Sequence, residues 1–238
     1  AYEIGYTYAD LANPTPSAPY WSWGTAATTI QDAVDYSLDG DIVLVANGVY
    51  ESGGAPAPSS ALTNRVAILK PILVKSVNGP TVTTIRGQGP IGDNAVRCVY
   101  LASGATLEGF TLTNGATRAS GDVTTEQCGG GVYGLLGGNG ISTIARCIIA
   151  NNSAEAEGGG VSGGLVQNSL LKGNGAFYGG GASFTYASGF INNCTVVGNS
   201  SFGAGGGVKG GVTLNSIVYN NFGTGNPNYD GVFFAYSC

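Results

Sequence analysis

Arg146-Cys147-Ile148-Ile149-Ala150-Asn151-Asn152 returns three times: as Asn168-Ser169-Leu170-Leu171-Lys172-Gly173-Asn174, as Asn193-Cys194-Thr195-Val196-Val197-Gly198-Asn199 and as Asn215-Ser216-Ile217-Val218-Tyr219-Asn220-Asn221. The closing asparagines are separated by 22, 25 and 22 residues. A glycine triplet precedes each copy, at Gly129-Gly130-Gly131, Gly158-Gly159-Gly160, Gly179-Gly180-Gly181 and Gly205-Gly206-Gly207. A unit this short has no room to bury its own apolar face. It must stack on its neighbours, so the period sets the architecture before any element is assigned.

Such a rung is too short for a strand-and-helix unit and suits three short strands joined by corners. Each strand then pairs in parallel with its equivalents above and below, and like side chains stack inside. Glycine supplies corners with positive φ and lets backbones approach. Asparagine also tolerates that region, and its amide can bond the same amide on the next rung. The reading is an asparagine ladder of Asn152, Asn174, Asn199 and Asn221, extended backwards to Asn78 and Asn114, which also close strand-like runs.

Working outward, Tyr2, Ile4, Tyr6 and Tyr8 fall on one face of a strand over residues 1–8. A proline-containing loop follows at Asn13–Trp23. Ile30, Ala33, Val34 and Ser37 are spaced for one buried face of a helix over 29–38, with Thr29 and Asp32 as its start signal and Gly40 as its stop. Strands are expected at 41–45, 66–69, 72–76, 81–85, 95–101 and 107–113, with loops at 52–64 and 116–127 on one edge. The domain reading is an N-terminal strand and loop at 1–24 and a single solenoid at 25–238. About seven rungs at about 4.8 Å each give a stack of roughly 34 Å.

Composition narrows the function. Glycine is 42 of 238 residues, more than twice the usual share of about 7 %, yet no Gly-X-Y period is present. Charged residues are only 10 %, the net charge is −5 and there is no histidine. No basic run is available to meet phosphates, which argues against nucleic acid, and no apolar stretch is long enough for a membrane span. Low charge with abundant Thr, Ser, Asn and Gly suits an extracellular, secreted or cell-surface protein. Of five cysteines, Cys147, Cys194 and Cys238 are read as one repeat position, alternating with Ser169 and Ser216. Two rungs separate them by roughly 9.6 Å, beyond the disulfide limit of about 7 Å, so they are expected as buried thiols. Cys98 and Cys128 stand in adjoining rungs, where a bridge and two free thiols are both open readings.

The stretch Thr29-Ile30-Gln31-Asp32-Ala33-Val34 followed by Gly40-Asp41-Ile42-Val43-Leu44-Val45-Ala46-Asn47-Gly48-Val49-Tyr50 resembles the start of right-handed parallel β-helix proteins. The Gly-Gly-Gly-Val and Asn-Cys-x-x-x-x-Asn rungs resemble secreted bacterial β-helix repeats, including those of polymorphic outer-membrane proteins. The resemblance implies an all-β right-handed parallel β-helix whose N-terminal end is closed by an amphipathic helix. It implies no single activity, because that scaffold carries lyases, hydrolases, adhesins and structural proteins.

Chemistry is sparse. Pectate-lyase-like sites use clustered carboxylates for Ca²⁺ with a basic residue, and polygalacturonase-like sites use aspartates with His and Arg or Lys. Residues 129–238 hold only Glu155, Glu157 and Asp230 as acids, and Glu155 and Glu157 read as a solvated loop. Arg97 and Glu108 form a site only if they share a face. No catalytic residue, metal ligand or cofactor is assigned. Tyr20, Trp21 and Trp23 form an aromatic cluster suited to glycan contact or to packing the cap helix. The C-terminal strand has no cap, so either the native protein continues beyond Cys238 or something covers that end; residues 1–8 are read either as a strand donated head to tail by a neighbouring molecule or as one paired within its own chain. The leading expectation is therefore a non-catalytic structural solenoid assembling into a filament or surface layer. A glycan-binding adhesin and a polysaccharide lyase or hydrolase are the alternatives.

Overall fold

The structure is a computed structural model and describes residues 4–186 and 188–237. Three long sheets run side by side up a coil. The first holds nine parallel strands, from Tyr6–Ala9 through Ile42–Val45 and Leu73–Ser76 to Val212–Leu214 and Phe233–Ala235. The second holds seven, from Gly48–Tyr50 to Ile217–Tyr219. The third holds eight: seven parallel strands from Thr63–Ile68 to Tyr229–Asp230, and Ala55–Pro56 paired antiparallel at its edge. The chain visits the sheets in turn, so each strand pairs with the strand one rung away. This is an all-β parallel solenoid. The expected strand at 107–113 is two strands, Thr106–Glu108 and Thr111–Thr113. Gly109 (φ 82) turns a corner between them.

Register explains the core. In the first sheet Val43, Val74, Leu107, Ile144, Val166 and Ile191 stand directly above one another, each fully buried. Ile85, Leu112, Ile149, Leu171 and Val196 make the second column, and Val66, Val99, Val132, Val161 and Ala182 the third. Three apolar columns meeting along one axis bury side chains worth about 1.5–3 kcal/mol each, with no helix needed along the length of the coil.

The corners repeat as strictly as the core. Arg146, Asn168, Asn193 and Asn215 take φ values of 48 to 53, one per rung. Inside the next corner the Asn174 backbone N and Nδ2 both donate to Asn199 Oδ1, at 3.0 and 2.9 Å. The same pair of bonds links Asn152 to Asn174 and Asn199 to Asn221. Asn221 then donates to Asn228 Oδ1, which closes the column. Asn114 and Asn78 stand outside it. Asn114 aligns with Asn151 as an exposed left-handed corner residue. Gly115 takes the ladder slot and donates to Asn152 Oδ1 at 2.8 Å. Asn78 lies at a different corner and bonds Asn47 Oδ1. The glycine triplets follow from the ladder, because they pass directly against it. A Cβ on Gly180 would stand 2.1 Å from Ser200 O, and one on Gly159 2.2 Å from Gly175 O.

The N-terminal end is closed by the helix Ile30–Tyr36. Thr29 caps it, its hydroxyl oxygen accepting from Asp32 N at 3.1 Å. Ile30, Ala33 and Val34 face the core. Gln31 also docks the helix, accepting from Ala67 N (2.7 Å) and donating to Ala67 O (3.2 Å). Tyr6–Ala9 pairs in parallel with Ile42–Val45 of its own chain, and its buried face is Thr7 and Ala9, not the tyrosines. Of the two readings of this strand, donation to a neighbouring molecule and pairing within its own chain, the structure shows the second. Ile4 is exposed, and Tyr2 lies outside the described residues.

Cys98, Cys128, Cys147 and Cys194 are buried and unbridged. Cys147 and Cys194 alternate with Ser169 and Ser216, whose hydroxyl oxygens accept from the two cysteine N–H groups at 3.0 Å. The next place in that column belongs to Ser237, which accepts from Ser216 N. Cys238, expected there, lies outside the described residues. Burial pushes the Cys98 and Cys128 thiols up to about 12, and Cys147 and Cys194 to about 11. A thiol whose pKa is raised by folding holds its proton longer in the native state. Its contribution is therefore intact below the unfolded-state pKa of about 8.5 and lost as pH rises toward 11–12. We expect urea midpoints to fall progressively across that alkaline window. At pH 8 a thiol reagent should label these four cysteines only after denaturation; rapid native-state labelling would contradict the burial.

Candidate functional site

The connection from the second sheet to the third is where rungs differ from one another, and it carries the candidate site. Three rungs run side by side there. Ser153 bridges Gly175, and Gly175–Ala176 pairs in parallel with Ser200–Ser201. That register places Glu155, Phe177 and Phe202 one above the next. Phe177 is 49 % and Phe202 79 % exposed. They line a groove of about 460 Å³ that runs along the stack, with Ile91, Ser153 and Ser200 among its other walls. A second cleft of about 230 Å³ shares Glu155 and Phe177 with it and is completed by Gln127, Glu157, Tyr178 and Tyr186.

A charged cluster stands at this second cleft. Glu157 precedes the triplet Gly158-Gly159-Gly160 and is buried, 4 % exposed. Lys209 Nζ donates to Glu157 Oε1 at 3.1 Å, and Ser183 Oγ donates to Oε2 at 2.6 Å. Lys209 Nζ also lies 3.6 Å from the centre of the Tyr178 ring, a cation–π contact. Tyr178 in turn meets the Phe177 ring edge-on at 4.7 Å. The sequence expectation of a solvated Glu155–Glu157 loop holds for Glu155, which is exposed, and fails for Glu157. Ser183 and Lys209 are outward residues of adjacent strands in the third sheet, in one column with Tyr133 and Ser162.

One wall of this edge is built by the two irregular loops. Ala61 N donates to Glu126 Oε1 at 2.6 Å, and Arg118 joins Glu126 and Asp93, each at 2.8 Å. The short helix Val123–Glu126 is capped by Asp122, whose carboxylate accepts from Thr125 N and Oγ1 and is held below its ordinary pKa by those bonds. Fully buried Arg97 anchors the loop from beneath.

Other sequence candidates lie apart. Arg97 and Glu108 do not share a face: Glu108 is on the first sheet between Lys75 (3.2 Å) and Arg146 (2.8 Å). Tyr20, Trp21 and Trp23 do not form one platform. Tyr20 meets Tyr36 edge-on at 5.1 Å and Trp23 meets Tyr8 at 4.7 Å. Trp21, 71 % exposed, lines a different cleft from Trp23.

A pectate lyase structure superposes with a TM-score of 0.57 at 15 % identity, over 97 % of this chain and 55 % of that one. A rhamnogalacturonan lyase gives 0.50 at 17 %, over 98 % and 62 %. A rice weevil pectin methyl esterase gives 0.46 at 11 %, over 95 % and 91 %. The chain thus spans only a little over half the length of the two lyases. No family model matches the sequence, and no curated protein is similar to it. The likeness to the two lyases establishes the architecture, a right-handed parallel β-helix, and gives no support to a tie with polymorphic outer-membrane repeats. The expectations of a non-catalytic filament protein and of a non-enzyme are corrected here. The architecture is shared with polysaccharide-cleaving enzymes, and the strand meant to join filament subunits is paired within its own chain.

Calcium-dependent lyase chemistry needs several carboxylates converging on one point. Among the described residues no group of three or more Asp, Glu, Cys or His side chains forms. Both oxygens of Glu157 are already engaged by Lys209 and Ser183. The donor set does not fit such an ion. No described helix is long and apolar enough to cross a membrane.

Proposed function

We propose that the protein is a secreted enzyme that cleaves a polysaccharide laid along the Phe177–Phe202 groove. The observation that carries this is the Lys209–Glu157–Ser183 cluster standing beside a groove with two exposed rings in consecutive rungs. The rings are a stacking platform for sugar faces. The rung spacing of about 4.8 Å is comparable to the advance of one sugar unit along an extended chain. Glu155, exposed where the two clefts meet, is placed to exchange a proton with the leaving oxygen. Lys209 supplies positive charge and is held by Glu157, whose other oxygen is fixed by Ser183. The low charge content is consistent with secretion.

The test is to incubate the protein with a panel of plant and microbial polysaccharides. New reducing ends and the ultraviolet absorbance of unsaturated ends are followed in parallel. Glu155→Gln and Lys209→Ala are each expected to lower the rate by about 10²-fold or more. Release of neither kind of end from any polymer, or full activity in the double variant, would overturn the proposal.

A further inference from the structure

We infer, on the reading of this groove as a polysaccharide site, that its substrate is an uncharged polymer rather than a polyuronate. Charge is the first argument. The acids of the two joined clefts are Glu155 and Glu157. The cation beside them is Lys209, which is bonded to Glu157 at 3.1 Å. Arg118, one rung earlier in register with Glu155, is committed to Asp93 and Glu126 at 2.8 Å each. A polyuronate would bring a carboxylate with every sugar unit to a lining that holds Glu155 and Glu157 and no cation, with the neighbouring Lys209 ammonium already matched by Glu157. Like charges at such range repel even through water, and the whole chain adds a net charge of −5. A bridging cation would offset this only with a converging carboxylate set, which the described residues do not provide.

The second argument is what the groove offers in place of charge: two phenyl faces and the hydroxyl-bearing residues Ser153 and Ser200. Phenyl faces gain by covering the C–H surface of a sugar ring, and hydroxyls match hydroxyls. Neither discriminates in favour of a carboxylate. The reaction follows from the substrate. Elimination removes a proton made acidic by an adjacent carboxyl, which a neutral sugar lacks. Cleavage of this polymer is therefore hydrolytic: the anomeric C–O bond breaks, the hydroxyl of water bonds to the anomeric carbon and a proton passes to the leaving oxygen.

Affinity electrophoresis of the full chain in gels containing mixed-linkage glucan, mannan, arabinogalactan or polygalacturonate, the last with and without Ca²⁺, tests this. At least one neutral polymer should retard the protein, equally at low and high salt. Polygalacturonate should not. Phe202→Ala and Phe177→Ala, both at exposed positions with unchanged melting temperature, should weaken retardation by about tenfold. Trp21→Ala should leave it unchanged. Retardation or cleavage of polygalacturonate under either condition would overturn the inference and leave the polysaccharide reading standing. Neutral-polymer retardation indifferent to both phenylalanine variants would overturn the inference by placing the site elsewhere. Retardation by no polymer at all would overturn both.

Discussion

Asn199→Leu is expected to destabilise the protein by about 3–6 kcal/mol, among the largest effects of any single substitution on the coil. Asn199 Oδ1 is the shared acceptor of Asn174 N and Asn174 Nδ2, at 3.0 and 2.9 Å. Its Nδ2 donates to Leu171 O and to Asn221 Oδ1, at 3.0 and 2.9 Å. Asn174 and Asn199 are fully buried and Asn221 nearly so, so water does not replace the lost partners. Each buried group left without one costs about 1–3 kcal/mol, and leucine returns only part of that through apolar burial. The matched control is Asn193→Ala. Asn193 is exposed and its amide donates to Asn168 Oδ1 on the outer corner. That change removes a solvated bond and a left-handed preference, and should cost about 1 kcal/mol. Urea unfolding of the two variants decides the matter. Similar midpoints would mean that the inner column is an incidental alignment and that the apolar columns alone hold the register.

How far the sequence discloses this molecule depends on whether a residue repeats. Asn152, Asn174, Asn199 and Asn221 occupy equal places in four copies, so their stacking is readable before any coordinate is known. The helix Ile30–Tyr36 is readable for a different reason, since its cap and its buried spacing are local. Asn114 misleads because the rung at 111–113 puts Gly115 in the ladder slot, and the neighbouring asparagine looks like the ladder residue when its register is unknown. Cys238 misleads similarly: Ser237 takes the place in its column. The candidate site is the harder case. Glu157 sits in a loop-like stretch, and nothing local says that it is buried against Lys209, 52 residues later. One signal was available. The second residue after each glycine triplet is Tyr133, Ser162, Ser183 and Lys209. That position changes chemical type inside a motif that otherwise repeats, and it is the outward column of the third sheet, where a site on a solenoid has to be written. The pairing of this column with Glu157 requires the third dimension, because the chain returns to the same edge only once per rung.

Arg97→Leu is the second large effect, and it bears on both the fold and the site. The guanidinium is fully buried and is held by oxygens without a carboxylate among its hydrogen-bond partners. Nε donates to Gly129 O at 2.8 Å and Nη1 to Asn64 Oδ1 at 2.9 Å. Nη2 donates to Thr125 O at 2.7 Å and to Cys128 O at 2.8 Å. The Tyr133 ring lies 5.2 Å from its central carbon. Burial lowers its pKa to about 10, the sign expected when a charge leaves water for a setting of dipoles. Those four acceptors come from the strand Thr63–Ile68 and from the segment 125–129, so one side chain ties the irregular loop to the third sheet. Leucine leaves the acceptors unpaired at about 1 kcal/mol or more each, and a total loss of about 3–5 kcal/mol is expected. Arg97→Lys keeps the charge but lacks the planar fork that reaches four oxygens, so it should fall between the two. A readout specific to the loop is Cys128. Its thiol donates to Val123 O at 3.1 Å, and its backbone bridges Glu157. Loosening of the 122–128 segment should therefore expose Cys128 to a thiol reagent in Arg97→Leu at urea concentrations well below the unfolding transition, while Cys147 and Cys194 stay protected. The same loosening should displace Glu157 and weaken the proposed polysaccharide cleavage although Arg97 touches neither cleft. A variant that unfolds within about 1 kcal/mol of the parent and keeps Cys128 protected would show that the buried cation is a tolerated neighbour of the loop and not its anchor.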